Sequence, residues 1–398
     1  MTETATAVAL LSLAVWLYLL AGRGGFWRAD QRLPPDTGLL PSAARVVAVV
    51  PARDEEDIIE AALTSLLTQE GVDLTVILVD DHSRDRTRTI ADRLAAVSSG
   101  RLVVTSPAPL PSGWTGKLWA LAEGIRLAGD IAPGAAFLLL TDADIRHGPA
   151  TVRRLVAKAE AERLDLVSLM VELDHRGVWG RLLIPAFVFF FQKLYPFCWA
   201  NDPRRTTAAA AGGCILLRPA ALARTGGIAR IRGDLIDDCA LAAAVKGSGG
   251  RVWLGLADGA HSLRDNRRFA SVWTMVARTA YTQLDHSPLR LAGAMAGMVV
   301  TYLVPPLALL LYPLHGSALA AGAGAAAWMV MAVCYGPTLR LYGQPFAAGF
   351  LLPVAGLLYS LMTVASAVRH WRGRGGAWKG RVYPVPAKSA PAKSEAAD

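Results

Sequence analysis

The sequence predicts an α/β domain on a mainly parallel sheet, held to a membrane by apolar segments at both ends. Three observations carry this expectation. Between Arg45 and Leu263, short β-branched runs alternate with polar, helix-like stretches. Polar clusters gather where those runs end, and sheets of this kind bind ligands at the C-terminal ends of their strands. The rest of the chain is greasy. An apolar fraction of 53% and a mean hydropathy of +0.34 exceed those of an ordinary soluble protein.

The first element is the uncharged apolar run Ala5–Ala21, preceded by Glu3 and followed by Arg23, Arg28 and Arg32. A cleaved secretory signal carries its positive charge before the run and a small-residue cleavage site after it. Residues 1–24 therefore read as an uncleaved anchor whose C-terminal side faces the cytoplasm.

Seven strands are predicted across residues 45–266: Val46–Ala52, Thr75–Asp81, Arg101–Thr105, Ala136–Thr141, Leu166–Val171, Cys214–Leu217 and Val252–Leu254. The first ends in Pro51-Ala52-Arg53-Asp54-Glu55-Glu56, a place for a nucleotide to dock. Asp54 to Glu56 also suit the first turn of a helix, and both roles are compatible. The second ends in Val79-Asp80-Asp81-His82-Ser83-Arg84-Asp85-Arg86-Thr87. Adjacent carboxylates at a strand end are costly without donors, which a base N–H and a ribose hydroxyl supply. In isolation this pattern is also that of a turn with a helix cap.

Gly113-Trp114-Thr115-Gly116-Lys117 allows a tight loop before a helix, and Lys117 is placed to reach a phosphate; the alternative is a solvated lysine. The fourth strand runs into Thr141-Asp142-Ala143-Asp144. A strand period of two puts Asp142 and Asp144 on one side, as a hard divalent cation requires. Late in the domain, Gly233-Asp234-Leu235-Ile236-Asp237-Asp238 opens a helix. Asp238 or Asp237 could serve as a general base, or both could simply cap the helix.

Leu182–Trp199 is very apolar and contains Phe187, Phe189, Phe190 and Phe191. A full span there would split the α/β domain across the membrane, so it reads as an interfacial or buried helix beside a lipid. Residues 267–290 place Phe269, Val272, Trp273, Val276, Ala280 and Leu284 at helical spacing beside Arg267, Arg268 and Arg278. This suits an amphipathic helix at the membrane surface, or an ordinary packing helix.

Residues 291–368 hold three further segments: Leu291–Leu314, kinked at Pro305 and Pro306, Ala318–Tyr335 and Phe346–Val368. Each is long enough at about 20 residues per span. Their count conflicts with charge. Three spans after a cytoplasmic domain leave the tail outside, yet Arg369, Arg372, Arg374, Lys379 and Arg381 call for a tail inside. One segment is then re-entrant, or the first is split at its prolines. The tail, 369–398, is basic, and its Pro384–Asp398 part is rich in Ala, Pro, Lys and Ser, as disordered segments are.

The net charge is +9, and seven Lys/Arg against two acids from Arg369 onward account for much of it. Basic charge beside apolar segments fits anionic lipid. No aromatic-interleaved basic repeat, zinc finger or helix-turn-helix pattern is present, which excludes nucleic acid as the partner. The four cysteines, Cys198, Cys214, Cys239 and Cys334, lie far apart and fit buried free thiols, not a disulfide framework or zinc site.

Taken together, Pro51/Arg53/Glu55, Asp80/Asp81/Ser83/Asp85/Thr87, Asp142/Asp144 and Asp237/Asp238 resemble, in order, the motifs of glycosyltransferase family 2, inverting enzymes with the GT-A fold. The resemblance covers about Arg45 to Leu284. Within that family, the anchor, Arg278–Leu284 and the ending Trp378-Lys379-Gly380-Arg381-Val382-Tyr383 look like the hopene-associated membrane glycosyltransferases.

The resemblance implies a Rossmann-like GT-A domain and a metal-dependent hexosyltransferase at the inner (cytoplasmic) membrane, catalytic domain inside. It implies that Pro51, Arg53, Glu55, Asp80, Asp81, Lys117, Asp142, Gly212 and Gly213 hold the nucleotide-sugar, UDP-linked in most relatives. It also implies that Asp142 and Asp144 hold Mg²⁺ or Mn²⁺ and that Asp238, or its competitor Asp237, is the base. The implied acceptor is a lipid, in hopanoid biosynthesis. A polyprenyl-phosphate or polysaccharide glycosyltransferase is the alternative, and an inactive membrane scaffold is the non-enzyme reading. Met275 and Thr279 stand where polysaccharide synthases carry the Gln and Trp of Q-x-x-R-W, with Arg278 alone retained, which argues against processive synthesis.

Overall fold

A computed structural model describes residues 2–36, 44–373, 375, 377–378 and 381–382. The Pro384–Asp398 tail, and Lys379, Gly380 and Tyr383 of the ending compared above, lie outside the described residues.

Helix α1 (Thr2–Ala21) leads into the sheet domain. There β1 (Arg45–Ala52), α2 (Ile59–Leu67), β2 (Asp73–Asp80), α3 (Thr87–Val97), β3 (Leu102–Thr105), α4 (Gly116–Ile131) and β4 (Phe137–Leu140) follow one another. Next come β5 (Ile145–His147), α5 (Thr151–Ala161), β6 (Leu166–Glu172), α6 (Gly177–Leu194), α7 (Phe197–Asn201), β7 (Ile215–Leu217), α8 (Pro219–Arg224), α9 (Asp237–Gly247) and β8 (Val252–Ser262).

The strands form one sheet in the order β3-β2-β1-β4-β7-β6-β8-β5. It is mostly parallel; β7 and the short edge strand β5 run against their neighbours. All seven predicted strands are present within a few residues. Strand β5 was not foreseen, being only three residues long, and β8 runs eleven residues where three were expected. Its Gly, Ala and Asp content hides a strand that pairing with β6 and β5 sustains.

Alternation along β1 builds two layers. Val46, Ala48 and Val50 join the core under α2, α3 and α5. Val47 and Val49 join the opposite core under α4, α8 and α9. Helix α4 lies so close to the sheet that a Cβ on Gly124 would fall 2.4 Å from Val49 Cγ1 and 2.9 Å from Val79 Cγ2. All four cysteines are free, and Cys214, Cys239 and Cys334 are buried.

After the sheet come α10 (Phe269–Thr279), α11 (Pro288–Met298), α12 (Val304–Leu310), α13 (Tyr312–His315), α14 (Ala318–Leu341) and α15 (Leu352–Trp371). Helix α10 buries Val272, Val276 and Ala277. Five helical segments among the described residues are long and apolar enough to cross a membrane: Thr2–Ala21, Gly177–Leu194, Pro288–Leu310, Ala318–Leu341 and Phe346–Trp371.

Contacts order these segments. At the far end, the Thr2 hydroxyl donates to His315 O at 3.0 Å and Thr6 Oγ1 meets Ser317 Oγ at 2.7 Å. At the end near the sheet, Tyr342 packs on His175 with ring centroids 5.0 Å apart, and Gln344 Nε2 donates to Arg181 O at 2.9 Å. From there Phe346–Leu351 descends only to the middle of α14, where Trp328 Nε1 donates to Phe350 O at 3.2 Å. Helix α15 then returns: Ser366 Oγ accepts from Tyr281 N at 3.0 Å, and Trp371 packs on Tyr281 at 5.8 Å. The last apolar segment thus runs down to the middle of α14 and back, with one end near His175 and Arg181 and the other against Tyr281. The first of the three is interrupted as well, by a π-helical turn at Val299–Leu303 before Pro305 and Pro306.

Helix α6 has both ends against the sheet domain. Its start adjoins Arg267, and α7, which follows it, bonds Leu254 O through Asn201 Nδ2 at 3.0 Å. The phenylalanine run is packing: Phe189 is wholly buried, with ring centroids 5.2 Å from Phe26 and 5.1 Å from Tyr335. Phe187, Phe190 and Phe191 are half-buried against the same cluster.

Candidate active site

The site lies at the C-terminal ends of β1, β2 and β4. Two loops there are stitched together. Asp54 N donates to Ser83 Oγ at 3.0 Å, Glu55 N to Thr87 Oγ1 at 2.7 Å, and Glu56 N to Asp85 Oδ2 at 3.0 Å. In return Arg84 N donates to Asp54 Oδ1 at 2.7 Å. Asp54 and His82 hold φ near +52° and +56°, which short polar side chains tolerate. Ser83, Asp85 and Thr87 are thus the frame of the site.

Within that frame Arg53 is buried, and its Nη1 donates to Asp81 O and stands 3.7 Å from Asp81 Oδ2. Asp80 Oδ1 accepts from Ser83 N at 3.3 Å. Asp80, Asp81, Arg53 and Glu55 are all buried side by side at the two strand ends.

The β4 end departs from the sequence reading. The strand stops at Leu140, and Asp142 and Asp144 sit in the following turn, where Ile145 N bonds Asp142 O at 3.3 Å. A period of two therefore does not govern them, and different cations hold the two carboxylates. Lys117 Nζ lies 2.9 Å from Asp142 Oδ1 and 3.1 Å from Asp237 Oδ2. Arg264 Nε lies 3.1 Å from Asp144 Oδ2, its Nη2 bonds Glu55 Oε1, and Ser262 Oγ donates to Asp144 Oδ2 at 3.1 Å. Thr141, just after β4, is fixed from behind: its Oγ1 bonds Gly213 O at 2.7 Å and meets His147 Nε2 at 3.0 Å. Burial pushes His147 down to about 4, so it is a neutral strut.

Helix α9 brings its acidic pair in at its first turn, from the other side of the site. Asp238 accepts from Gly212 N at 2.8 Å and from Cys239 N at 2.7 Å. Burial, then the neighbouring Asp237, push Asp238 up to about 6, against Lys117 and the two backbone donors. Burial likewise raises Asp142, the Lys117 charge opposing it.

Gly212 faces this centre: a Cβ there would stand 3.4 Å from Lys117 Nζ, 3.5 Å from Asp238 Oδ2 and 3.8 Å from Asp142 Oδ2. At Gly213 a Cβ would meet Val171 at 3.1 Å, so that glycine serves packing. Pro51, Lys117, Asp142, Gly212, Asp237 and Asp238 line a common cleft. Asp80, Asp81, Arg53 and Glu55 stand at the neighbouring strand ends, and Asp144 is reached through Arg264.

Sequence reasoning missed Arg264 and Ser262. Their only signal was a polar Ser262-Leu263-Arg264-Asp265 stretch after a strand whose true length was not visible. It also missed Tyr195, whose hydroxyl accepts from Gln283 Nε2 at 2.7 Å beside the buried Cys239. Cys239 belongs to the same apolar cluster as Trp16, Phe189 and Tyr302 of the membrane-type helices.

Among known proteins, the family model described as Glycosyl transferase family 2 matches residues 47–226. The succinoglycan biosynthesis protein ExoO of Rhizobium meliloti (strain 1021) is 31% identical over 173 residues, covering 39% of this chain and 44% of that one. The matched stretch thus spans less than half the length of this curated relative. Among solved structures, the mannosyltransferase PcManGT from Pyrobaculum calidifontis, in complex with GDP-Man and Mn²⁺, aligns with a TM-score of 0.52 and 17% identity. The alignment covers 92% of this chain and 99% of PcManGT. That likeness is one of fold: the domain is a mixed α/β, GT-A-like sheet.

Proposed function

We propose that this chain is an inverting family 2 glycosyltransferase that moves a sugar from a nucleotide-sugar, UDP-linked, to a lipid acceptor at the cytoplasmic face of the inner membrane. The observation that carries the reading is the meeting of Lys117, Asp142, Asp237 and Asp238 at the strand ends, directly above the apolar helix cluster that includes Cys239.

In this reading Pro51, Arg53, Glu55, Asp80 and Asp81 hold the base and ribose. Lys117 meets the diphosphate, and Gly212 leaves room for the sugar. Asp238 takes the proton from the acceptor hydroxyl as its oxygen attacks the anomeric carbon. The bond to the diphosphate breaks on the opposite face, so the configuration inverts. Asp238 suits the base role better than Asp237: burial keeps it near neutrality in pKa, and two N–H groups aim it, whereas Lys117 neutralises Asp237.

Asp142 and Asp144 offer the hard oxygens that Mg²⁺ or Mn²⁺ prefers. Among the described residues no group of three or more His, Cys, Asp or Glu side chains is arranged to hold a metal, so these two would hold the ion together with oxygens of the donor. When bound, the ion supplies charge neutralisation for the departing diphosphate. PcManGT, in complex with GDP-Man and Mn²⁺, is consistent with this chemistry.

The acceptor reading rests on position. Tyr195 and Gln283, at the ends of apolar elements, adjoin Cys239 and so connect the base to the membrane side. The sequence resemblance to hopene-associated enzymes supports a role in hopanoid biosynthesis. The ExoO match favours a second reading, a lipid-linked polysaccharide precursor as acceptor. Purified protein offered each lipid class with radiolabelled donor distinguishes them. Label entering a polyisoprenoid or hopanoid extract supports the first, and label entering a saccharide-bearing lipid only supports the second.

A further inference from the structure

Two buried carboxylates from distant parts of the chain share one guanidinium. Glu55, at the end of β1, is 7% exposed in its side chain and Asp144, after β4, is 13% exposed. Arg264, in the loop after β8, bonds both, and its side chain is 45% exposed. Carboxylates this buried need a counter-charge, because desolvating an unpaired one is expensive. The counter-charge here is a long side chain with nearly half its surface in water, on a loop, so it can leave without unpacking the core. Its Nε sits on Asp144 Oδ2, one of the oxygens assigned above to the divalent cation. A divalent ion on Asp144 and the guanidinium on the same carboxylate repel each other, so each weakens the other's hold there.

We propose that Arg264 is the placeholder cation of the metal site. It neutralises Asp144 and Glu55 while the site is empty and yields Asp144 when the cation arrives with the diphosphate. This rests on the glycosyltransferase reading. The guanidinium holds the acidic cleft in its folded arrangement and lowers the affinity for free metal. A donor that brings its own phosphate charge tips the exchange, because the displaced guanidinium gains a phosphate partner. Metal binding is thereby coupled to donor binding. Lys117 is a poorer candidate for this part: it is only 21% exposed and bridges Asp142 to the base helix.

The test is Mn²⁺ binding to the full-length, detergent-purified protein, followed by electron paramagnetic resonance of free Mn²⁺, with and without UDP. Wild type is expected to bind Mn²⁺ weakly alone and more tightly with UDP. R264A is expected to bind Mn²⁺ alone at least tenfold more tightly than wild type. R264K, which keeps the charge, falls between, and adding D144N to R264A removes the gain. Thermal melting gives a second readout: R264A melts lower than wild type without metal and is raised more by Mn²⁺. Equal or weaker Mn²⁺ binding by a folded R264A overturns the placeholder role while leaving the metal reading intact. No Mn²⁺ binding by wild type even with UDP overturns both.

Discussion

The Lys117 ammonium stands 2.9 Å from Asp142 and 3.1 Å from Asp237, so one cation ties the end of β4 to the first turn of α9. That bridge sets the distance between the donor side and the base side of the cleft. Replacing Lys117 with Met leaves two largely buried carboxylates without a counter-charge. A loss of roughly 1–3 kcal/mol is expected. It is measured as a lower melting temperature, together with weaker binding of the nucleoside diphosphate in calorimetry.

In the proposed mechanism Asp238 is the group that takes the proton. D238N is expected to lower turnover by about 10²–10⁴-fold, the usual span for a general base. UDP affinity should stay within a few-fold, since Asp238 is not in the nucleotide frame. D237N should cost less in turnover and more in donor affinity, through Lys117. The reverse pattern would move the base one residue earlier.

Acidity follows from the same residue. Because its folded pKa is raised to about 6, Asp238 is protonated and unable to accept a proton below that pH. kcat/KM is expected to rise about tenfold per pH unit up to roughly pH 6 and then level. A flat profile between pH 5 and 8 would contradict the assignment.

A Cβ on Gly212 would fit against Lys117, Asp238 and Asp142 in ordinary contact, so in the proposed reading its effect would fall on the space left for the sugar. G212A should melt within a few degrees of wild type while losing most of its donor turnover. Full activity in G212A would show that the sugar does not pass through this cleft.

The returning helix α15 predicts a topology. With Trp371 against Tyr281, a tag placed at the C-terminus should be digested from the same membrane face as an exposed loop of the sheet domain, such as the one at Gly134. Protease protection in right-side-out and inverted vesicles checks this. Digestion from opposite faces would require Phe346–Trp371 to cross fully.

Much of this was legible in the sequence because strand ends announce themselves. Apolar β-branched runs stop at Pro51, Asp80 and Leu140, and the polar residues that follow are the ones that meet. What pairs with them was less visible. Arg264 is far away in sequence, on a loop beyond a strand masked by Gly and Ala. The turn holding Asp142 and Asp144 looked like strand because the apolar run led straight into it. Phe346–Trp371 has the length and hydropathy of a membrane span, so its turn back beside α14 was not visible in the sequence. The Trp328–Phe350 contact halfway along α14 is what reveals it. The positive tail is the sequence feature that sets the charge rule against a simple count of three spans. In the phenylalanine run, an apolar side chain that packs a helix interface, as Phe189 does, and one that meets a lipid are written alike.

The central claim is that the cleft activates a nucleotide-sugar for transfer. The most direct measurement is release of nucleoside diphosphate by detergent-purified protein offered UDP-, GDP- and dTDP-sugars, with Mn²⁺ or with EDTA. Release from one donor, abolished by EDTA and strongly reduced in D238N, is the predicted result. A folded protein that neither binds nor turns over any of the donors would contradict the account and favour an inactive membrane scaffold.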